Sequence, residues 1–424
     1  MSTVLFGVFA LMVALNVPIA ASLGLAAIAS IVFSKSVPLI VVGQKLFASI
    51  DSFPLMAIPF FMIAGNLMER GGISRRLITF ANTMLGSFTG GLALVGILAS
   101  MFFAAISGSS PATVAAIGSI MIPAMIRHGY SKEFATATQA SAGFIGVIIP
   151  PSIPMVTFGV VTGTSIGGLF MAGFTPGILF GLLLMVVAYF VSKKNQYVGE
   201  KRVSLPEMLA AFKESILALL MPIIILGGIY GGIFTPTEAA NVAVVYGLVV
   251  GLFVYRELTW KDLPEILKSS AISSAMVMLI IATASSFGLI LTREAIPAQI
   301  AELFLGLTSN PLILLLLINL MLLVVGTFME TNAAIIILAP IFFPVIQKLG
   351  IDPVHFGIIM VANLAIGMIT PPLGVNLFVA CGISKLTIEQ LVKANWKYLF
   401  VSFFGLALIT AFPWLSLWLP KLLL

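Results

Sequence analysis

Residues 146–151 read Gly-Val-Ile-Ile-Pro-Pro, and residues 367–372 read Gly-Met-Ile-Thr-Pro-Pro. The gapless offset that aligns these two stretches also aligns two further pairs, Pro123 with Pro344 and Gly129 with Gly350. A proline pair shared at a fixed offset, with other glycines and prolines in register, predicts that the chain consists of two repeats of one structural unit.

The composition places these repeats in a membrane. Only 8% of the 424 residues are charged and 60% are hydrophobic, whereas about 25% of residues are charged in an ordinary soluble protein. So little charge excludes a soluble enzyme, a disordered chain and a secreted disulfide scaffold. The long apolar runs do not alternate as barrel strands do, so we expect helices. The basic residues form short clusters and no continuous patch, so nucleic-acid binding is not expected. The predicted fold class is an all-α polytopic membrane protein.

The distribution of charge predicts that the repeats are inverted. The loop at 69–76 contains three Arg residues, and the loop at 127–133 contains Arg127 and Lys132. Of the corresponding loops of the second half, 293–302 has one Arg and two Glu, and 348–355 has one Lys and one Asp. Basic loops stay on the cytoplasmic side of a membrane. The first pair of loops is therefore expected inside and the second pair outside, which predicts about ten spans plus two re-entrant hairpins.

The chain is accordingly divided into two inverted repeats and a basic connecting loop. We read the first apolar run, 4–33, as helical. Each repeat is expected to contain one re-entrant helical hairpin, because its apolar runs of about 15 residues are too short to cross a core of about 30 Å. Each is also expected to contain one helix broken by its proline pair. The predicted boundaries are 1–191 for the first repeat (hairpin about 89–127, broken helix about 135–163), 192–215 for the cytoplasmic connecting loop, and 216–424 for the second repeat (hairpin about 311–347, broken helix about 356–384).

The breaks and the hairpin tips are where we expect the chemistry. A proline inside a helix removes an N–H and clashes with a preceding carbonyl, so two in succession free backbone carbonyls. Within a membrane these carbonyls need partners, and sodium is a cation that oxygen coordinates. The half-helices that follow direct positive dipole ends inward, which suits an anion. A single Ser, Thr or Pro in a membrane helix usually bonds its own backbone or makes a kink. Four interruptions in two related pairs favour a functional site.

Four motifs together resemble the large membrane subunit of a tripartite ATP-independent periplasmic (TRAP) transporter, of the ion-transporter superfamily. They are Ser-Gly-Ser-Ser-Pro-Ala-Thr at 107–113, Gly-Val-Ile-Ile-Pro-Pro-Ser-Ile at 146–153, Glu-Thr-Asn-Ala-Ala at 330–334 and Gly-Met-Ile-Thr-Pro-Pro-Leu-Gly at 367–374. The resemblance covers essentially the whole chain. It implies a sodium-driven secondary importer with an elevator-type mechanism in the bacterial inner membrane. It also implies two partners, a separate small four-helix membrane subunit and a periplasmic substrate-binding protein.

The resemblance further implies two sodium sites, each between a hairpin tip and a break, and a substrate site between the two tips. The first sodium site is expected at Ser107, Gly108, Ser110, Gly146, Ile149 and Pro150. The second is expected at Gly326, Thr327, Thr331, Gly367, Met368 and Thr370. The substrate is expected near Ser109, Thr113, Ser152, Pro154, Thr157, Glu330, Asn332 and Asn376. Glu330 is open between a sodium or proton-linked ligand and a residue that stabilises the tip. No cofactor besides sodium is expected.

The expected function is therefore sodium-coupled import of an organic acid, of the dicarboxylate or sialic-acid type. The alternative is a stand-alone sodium-coupled organic-anion carrier of similar architecture. An intramembrane hydrolase using Ser107, Ser109 or Ser110 would need a nearby general base, but His128 and His355 fall in predicted loops. A passive channel is disfavoured, because helix ends that face one another favour a closed binding site. We expect a transporter subunit and no enzymatic activity.

Overall fold

A computed structural model of the chain describes residues 1–35, 37–307 and 310–423, and every regular element in these ranges is a helix. The helices of the first half are α1 (Ser2–Ala14), α2 (Ile19–Ser34), α3 (Ile40–Ile50), α4 (Ala57–Arg70), α5 (Ile73–Leu85), α6 (Gly91–Ser107), α7 (Ser110–Arg127), α8 (Lys132–Gly143), α9 (Ile153–Thr162) and α10 (Ile166–Lys194).

The second half continues the same series, and one π-helical turn, Val250–Val254, extends its second helix. The helices are α11 (Leu205–Tyr230), α12 (Pro236–Val249), α13 (Leu263–Arg293), α14 (Ile296–Leu307), α15 (Pro311–Phe328), α16 (Thr331–Lys348), α17 (Pro353–Gly367), α18 (Val375–Ser384), α19 (Ile388–Ala411) and α20 (Trp414–Leu423). Eight described helices are long and apolar enough to cross a membrane, or nine if the bent pair α3–α4 counts as one span. The figure of ten spans stays a prediction.

Two predicted boundaries were wrong. The apolar run 4–33 forms two helices, α1 and α2, which pack against each other. The cause is Pro18, because α2 begins directly after it, where a missing N–H costs nothing. The connecting loop outside helices is 195–204 and not 192–215. There the hydroxyl and backbone N–H of Ser204 pair with Glu207 in a capping box that starts α11 early.

The chain turns between two helices at both predicted tips and is interrupted at both predicted breaks, whereas the re-entrant position of the tips stays a prediction. Helices α6 and α7 are joined through Gly108 and Ser109, and α15 and α16 through Met329 and Glu330. A short 3-10 segment, Phe144–Val147, and the first proline pair separate α8 from α9, and the second proline pair separates α17 from α18. Both proline pairs are joined by cis peptide bonds.

The helices of the two halves keep a constant spacing and pack reciprocally. α7 runs from 110 to 127 and α16 from 331 to 348, so the offset between the proline pairs also relates both ends of these helices. The second half-helix of each break packs against the hairpin of the other half, α9 against α16 and α18 against α7. In the same way α10 packs against α17 and α19 against α8. Each half thus supports the broken helix of the other.

Buried amides reinforce this packing. The side chain of Asn66 on α4 donates to Ser270 on α13 at 2.7 Å. Asn363 on α17 donates to Asn319 on α15, which in turn donates to Thr410 on α19, both at 2.8 Å. Within an apolar bundle such bonds contribute roughly 0.6 kcal/mol each. The interhelical bonds also fix the rotation of each helix.

Close contact between the second hairpin and the second broken helix gives a stability prediction. A Cβ atom added at Gly367 would overlap the backbone of Gly326, so Gly367→Ala must push α15 away from α17. We expect the substitution to cost about 1–3 kcal/mol, seen as a lower unfolding temperature of the detergent-solubilised protein. Gly382→Ala is the matched control, because nothing lies within 4 Å of the added atom. An unchanged unfolding temperature for Gly367→Ala would contradict the contact.

Candidate functional site

A cavity of about 640 Å³ lies where both hairpin tips meet both breaks. The first turns of four half-helices, α7, α9, α16 and α18, contribute to its wall. On this side the wall consists of Gly108, Ser109, Ser110, Pro111, Ala112, Val147, Ile153, Pro154, Glu330, Asn332, Met368 and Val375. Helix N-termini carry unsatisfied N–H groups and partial positive charge. The described part of the wall contains no Lys or Arg, and its one ionisable side chain is Glu330.

The local sequence explains why these helices start at the cavity. Ser152 caps α9 by accepting a hydrogen bond from the N–H of Met155 at 3.4 Å. The carboxylate of Glu330 caps α16 by accepting from the N–H of Ala333 at 3.0 Å. α18 follows Gly374, whose φ of 42° suits glycine. Proline in the first turn of α7 and of α9 leaves no helical hydrogen bond unmade.

The first hairpin tip lies against the first break. The carbonyl of Gly108 accepts from the N–H of Ile153 at 3.3 Å. The hydroxyls of Ser107 and Thr113 are 3.1 Å apart, and Thr113 also donates to the carbonyl of Ser109 at 2.8 Å. A Cβ atom at Gly146 would come 2.7 Å from that carbonyl, so only glycine lets the break approach the tip. The predicted residues Ile149 and Pro150 are buried beside them.

The second tip and break are arranged differently. Gly326 packs directly on Gly367, and the carbonyl of Met368 accepts from the N–H of Asn376 at 3.0 Å. The hydroxyls of Thr327 and Thr370 donate within their own segments, to Val324 at 2.7 Å and to Ile366 at 2.8 Å. The hydroxyl of Thr331 is buried and has no hydrogen-bond partner among the described residues. A buried polar group without a partner is unusual in a native protein, which makes this hydroxyl a candidate ligand.

Two side-chain contacts connect the halves across the site. Ser110 of the first tip lies 2.9 Å from Oδ1 and 2.7 Å from Nδ2 of Asn376 on α18. Asn332 of the second tip accepts from the hydroxyl of Thr157 on α9 at 2.9 Å. Each tip is therefore bonded to the broken helix of the other half.

The structure divides the residues predicted for the substrate into two groups. Ser109, Pro154, Glu330 and Asn332 line the cavity. Thr113, Ser152, Thr157 and Asn376 are fully buried, and their polar groups are occupied by the bonds of the tips and breaks. Of the predicted sodium residues, Gly108, Ser110 and Met368 also line the cavity.

Glu330 has a structural role in the tip. Its carboxylate accepts from Asn332 Nδ2 at 2.8 Å as well as from the N–H of Ala333. Asn332 in turn accepts from Thr157. One end of the carboxylate therefore orients the amide that connects the two halves. Of the roles left open by the sequence, this geometry favours stabilisation of the tip.

Sequence reasoning did not identify the opposite wall of the cavity. It comes from helices outside the hairpins and breaks: Pro18, Ile19 and Ala20 at the start of α2, Met62 on α4, and Ser273, Met276, Val277, Leu279 and Ile280 on α13. These residues lie in ordinary apolar runs, and only Pro18 interrupts one. No local signal distinguishes them, because their position depends on how α2 and α13 pack.

Among the described residues, no histidine or carboxylate forms a hydrogen bond with the serines of the tip. The side-chain partners of Ser107 and Ser110 there are Thr113 and Asn376. His128 is exposed near the end of α7. His355 was predicted to lie in a loop, but it lies buried in the first turn of α17, because Asp352 caps that helix. This arrangement does not support hydrolysis.

Known proteins show the same fold and clear sequence similarity. The transporter YdaH of Alcanivorax borkumensis aligns with a TM-score of 0.65 at 17% identity, covering 90% of this chain and 89% of that one, so the two share a fold. The isethionate TRAP transporter permease protein DctMQ of Oleidesulfovibrio alaskensis is 56% identical over 92% of this chain, which spans 62% of that protein's length.

Two further relatives match over most of their length. The C4-dicarboxylate TRAP transporter large permease protein DctM of Pseudomonas aeruginosa is 48% identical, with 89% and 88% of the two chains covered. The sialic acid TRAP transporter large permease protein SiaM of Vibrio cholerae is 41% identical, with 99% and 98% covered. Residues 6–415 match the family described as "Tripartite ATP-independent periplasmic transporter, DctM component". The chain, a multi-pass membrane protein and a transporter permease rather than an enzyme, therefore belongs to the DctM family of TRAP transporter large permeases.

Proposed function

We propose that this chain is the large subunit of a sodium-coupled importer for a small organic anion. The observation that carries the proposal is the cavity, where four helix N-termini meet and no Lys or Arg lies among the described wall residues. N–H groups and helix dipoles bind carboxylate, sulfonate or phosphate oxygens without a counter-charge. The hydroxyl of Ser109 adds a neutral hydrogen-bonding group to the same wall.

The substrate we propose is a small carboxylate or sulfonate. The relatives are named for isethionate, C4-dicarboxylates and sialic acid, which are all organic anions. The most similar of these three is the isethionate permease. A cavity of about 640 Å³ accommodates any of them.

The proposed mechanism is an elevator motion built on inverted repeats. The constant spacing of the two halves and the reciprocal packing of α9, α18 and the hairpins support a repeat related by a two-fold axis. In this mechanism residues 89–163 and 311–384 form the mobile unit that carries the cavity. The walls from α2, α4 and α13 belong to the fixed scaffold against which the unit moves.

Sodium would bind between each tip and its break. At the first site the carbonyl of Ser109 and the hydroxyls of Ser107 and Thr113 lie within hydrogen-bond distance of one another. At the second site Thr331, whose hydroxyl has no partner among the described residues, is the first residue of α16, beside the tip. These oxygens suit a hard cation. Ions here would order both tips and so complete the anion site.

The partners we propose are a small four-helix membrane subunit on a separate polypeptide and a periplasmic substrate-binding protein. The proposed location is the bacterial inner membrane. The tripartite family name supports both partners. The basic residues at the ends of α7 and α10 support a cytoplasmic position for those ends.

Reconstitution tests this function. Proteoliposomes should hold this chain together with the small permease and the binding protein encoded beside it. We expect uptake of radiolabelled isethionate or succinate only with an inward sodium gradient and with loaded binding protein, because sodium completes the anion site. Uptake by this chain alone would instead favour the stand-alone carrier.

Thr331→Val tests the second sodium site. The substitution keeps the shape of the side chain and removes a hydroxyl that has no partner among the described residues, so stability without sodium should be unchanged or higher. We expect sodium to raise the unfolding temperature of this variant less than that of the wild type, with potassium as the reference at constant ionic strength. Thr283→Val on α13 is the control, because it removes a hydroxyl that donates to Leu279. An identical sodium effect in Thr331→Val and wild type would rule out this ligand.

Glu330 can be tested through charge and hydrogen bonding separately. Glu330→Gln retains an oxygen that can accept from Ala333 N–H, whereas Glu330→Ala removes the cap, which costs about 0.5–2 kcal/mol. If the residue stabilises the tip, Gln should retain uptake within about threefold, and Ala should lose tenfold or more. Complete loss of uptake in a well-folded Glu330→Gln protein would show that the cap alone is not sufficient, and that the charge or the second acceptor oxygen, which bonds to Asn332, is required.

A further inference from the structure

The second break depends on a side chain from a helix outside the proposed mobile unit. The amide of Asn395 on α19 donates to the carbonyl of Ile369 at 3.0 Å. This carbonyl directly precedes Thr370 and the proline pair. It lies beyond Gly367, the last residue of α17, and accepts no backbone hydrogen bond among the described residues. Asn395 is 2% exposed, so water does not substitute for it. A buried carbonyl without a partner would cost about 1–3 kcal/mol.

The bond fixes the backbone at Thr370 from two sides. The peptide group between Ile369 and Thr370 is planar. Its N–H donates to the carbonyl of Gly367 at 3.0 Å, and its C=O accepts from Asn395. The orientation of the plane therefore determines where the Thr370 side chain and the carbonyls of the break point.

The first half has a glycine in place of this asparagine. Helices α10 and α19 begin at 166 and 388, so Gly173 stands as far into α10 as Asn395 stands into α19. Ile148 is the counterpart of Ile369 at the offset that aligns the proline pairs. A Cβ atom at Gly173 would come 2.5 Å from the carbonyl of Ile148. The backbone of α10 thus packs directly on the first break, whereas α19 holds the second break through one amide.

Asn395 also connects the second break to the first half. Its Oδ1 accepts from the hydroxyl of Ser141 on α8 at 2.6 Å. The preceding residue of α8, Ala140, accepts from Asn376 at 3.2 Å, and Asn376 contacts Ser110 in the first tip. A continuous set of hydrogen bonds therefore runs from the second break through α8 to the first tip.

We propose that Asn395 is a positioning residue, which holds the second break in the geometry that its cation site needs and couples that geometry to the first tip. This inference rests on the sodium dependence proposed above. Asn395 does not line the cavity between the tips and the breaks, and it acts through the Ile369 carbonyl. The loss of a residue that orients metal ligands typically weakens the metal affinity about 10–100-fold.

The test is the half-saturating sodium concentration of the purified full chain, obtained from its unfolding temperature at increasing sodium, with potassium keeping the ionic strength constant. Asn395→Leu is nearly isosteric and removes both hydrogen bonds. We expect it to raise the half-saturating concentration about tenfold or more. Ser141→Ala keeps the Asn395 amide but removes the hydroxyl that donates to it. We expect this variant to raise the half-saturating sodium concentration about two- to threefold. Asn66→Ala is the matched control, because it breaks an asparagine–serine bond of the same kind between α4 and α13.

The outcomes separate the inference from the proposed function. A general structural role would lower the unfolding temperature of Asn395→Leu and Asn66→Ala alike and leave the half-saturating sodium concentration unchanged, which would overturn the inference. If Asn395→Leu does not fold, the test relies on Ser141→Ala, which should fold because alanine has a higher helix propensity than serine. A half-saturating sodium concentration of Ser141→Ala within about 1.5-fold of the wild-type value would then overturn the inference. A wild-type protein without any sodium-specific stabilisation would overturn the proposed function itself.

Discussion

The rest of the structure depends on one constraint, which is that a backbone polar group inside a membrane needs a partner within the protein. Continuous helices meet this constraint by themselves. The two proline pairs and the two hairpin tips violate it, and the molecule compensates at each one. The N–H of Asn376 donates a hydrogen bond to the carbonyl of Met368, and the hydroxyl of Ser152 donates to the carbonyl of Val147. The side-chain amide of Asn395 donates to the carbonyl of Ile369. The starts of four half-helices form part of the wall of the cavity.

The compensation is also what joins the halves. A side chain from the other half bonds to each tip: the amide of Asn376 contacts Ser110 in the first tip, and the hydroxyl of Thr157 donates to Asn332 in the second. Neither tip is complete within its own repeat. A change at one tip therefore reaches the opposite broken helix through a single hydrogen bond, which is the shortest route that coupling between the sites can take.

Much of this fold could be predicted from the sequence. The proline pairs located both breaks, and the polar interruptions at 107–113 and 326–332 located both tips, because each is marked by residues that a membrane helix otherwise avoids. The boundaries at Pro18 and Ser204 were missed because helix ends depend on local caps. Nor could the pattern separate Thr113, Thr157 and Asn376, which brace the tips, from Ser109 and Asn332, which face the cavity. All are small polar residues near a tip, and only packing distinguishes them. The opposite wall of the cavity, at Ser273 and Met276, is not marked by any sequence pattern.

In the proposed function, the absence of Lys and Arg from the described wall of the cavity has a consequence for turnover. An ion pair in a dry site is costly to separate, whereas N–H groups exchange one set of acceptor oxygens for another, including those of water. A carrier must release its cargo at each cycle, and a wall without Lys or Arg leaves no buried ion pair between cation and substrate to break. N–H groups also recognise the oxygens of an anion more than the atom that bears them. The proposed site would therefore accept carboxylates and sulfonates alike, and the choice between them would fall to the proposed protein that delivers the cargo.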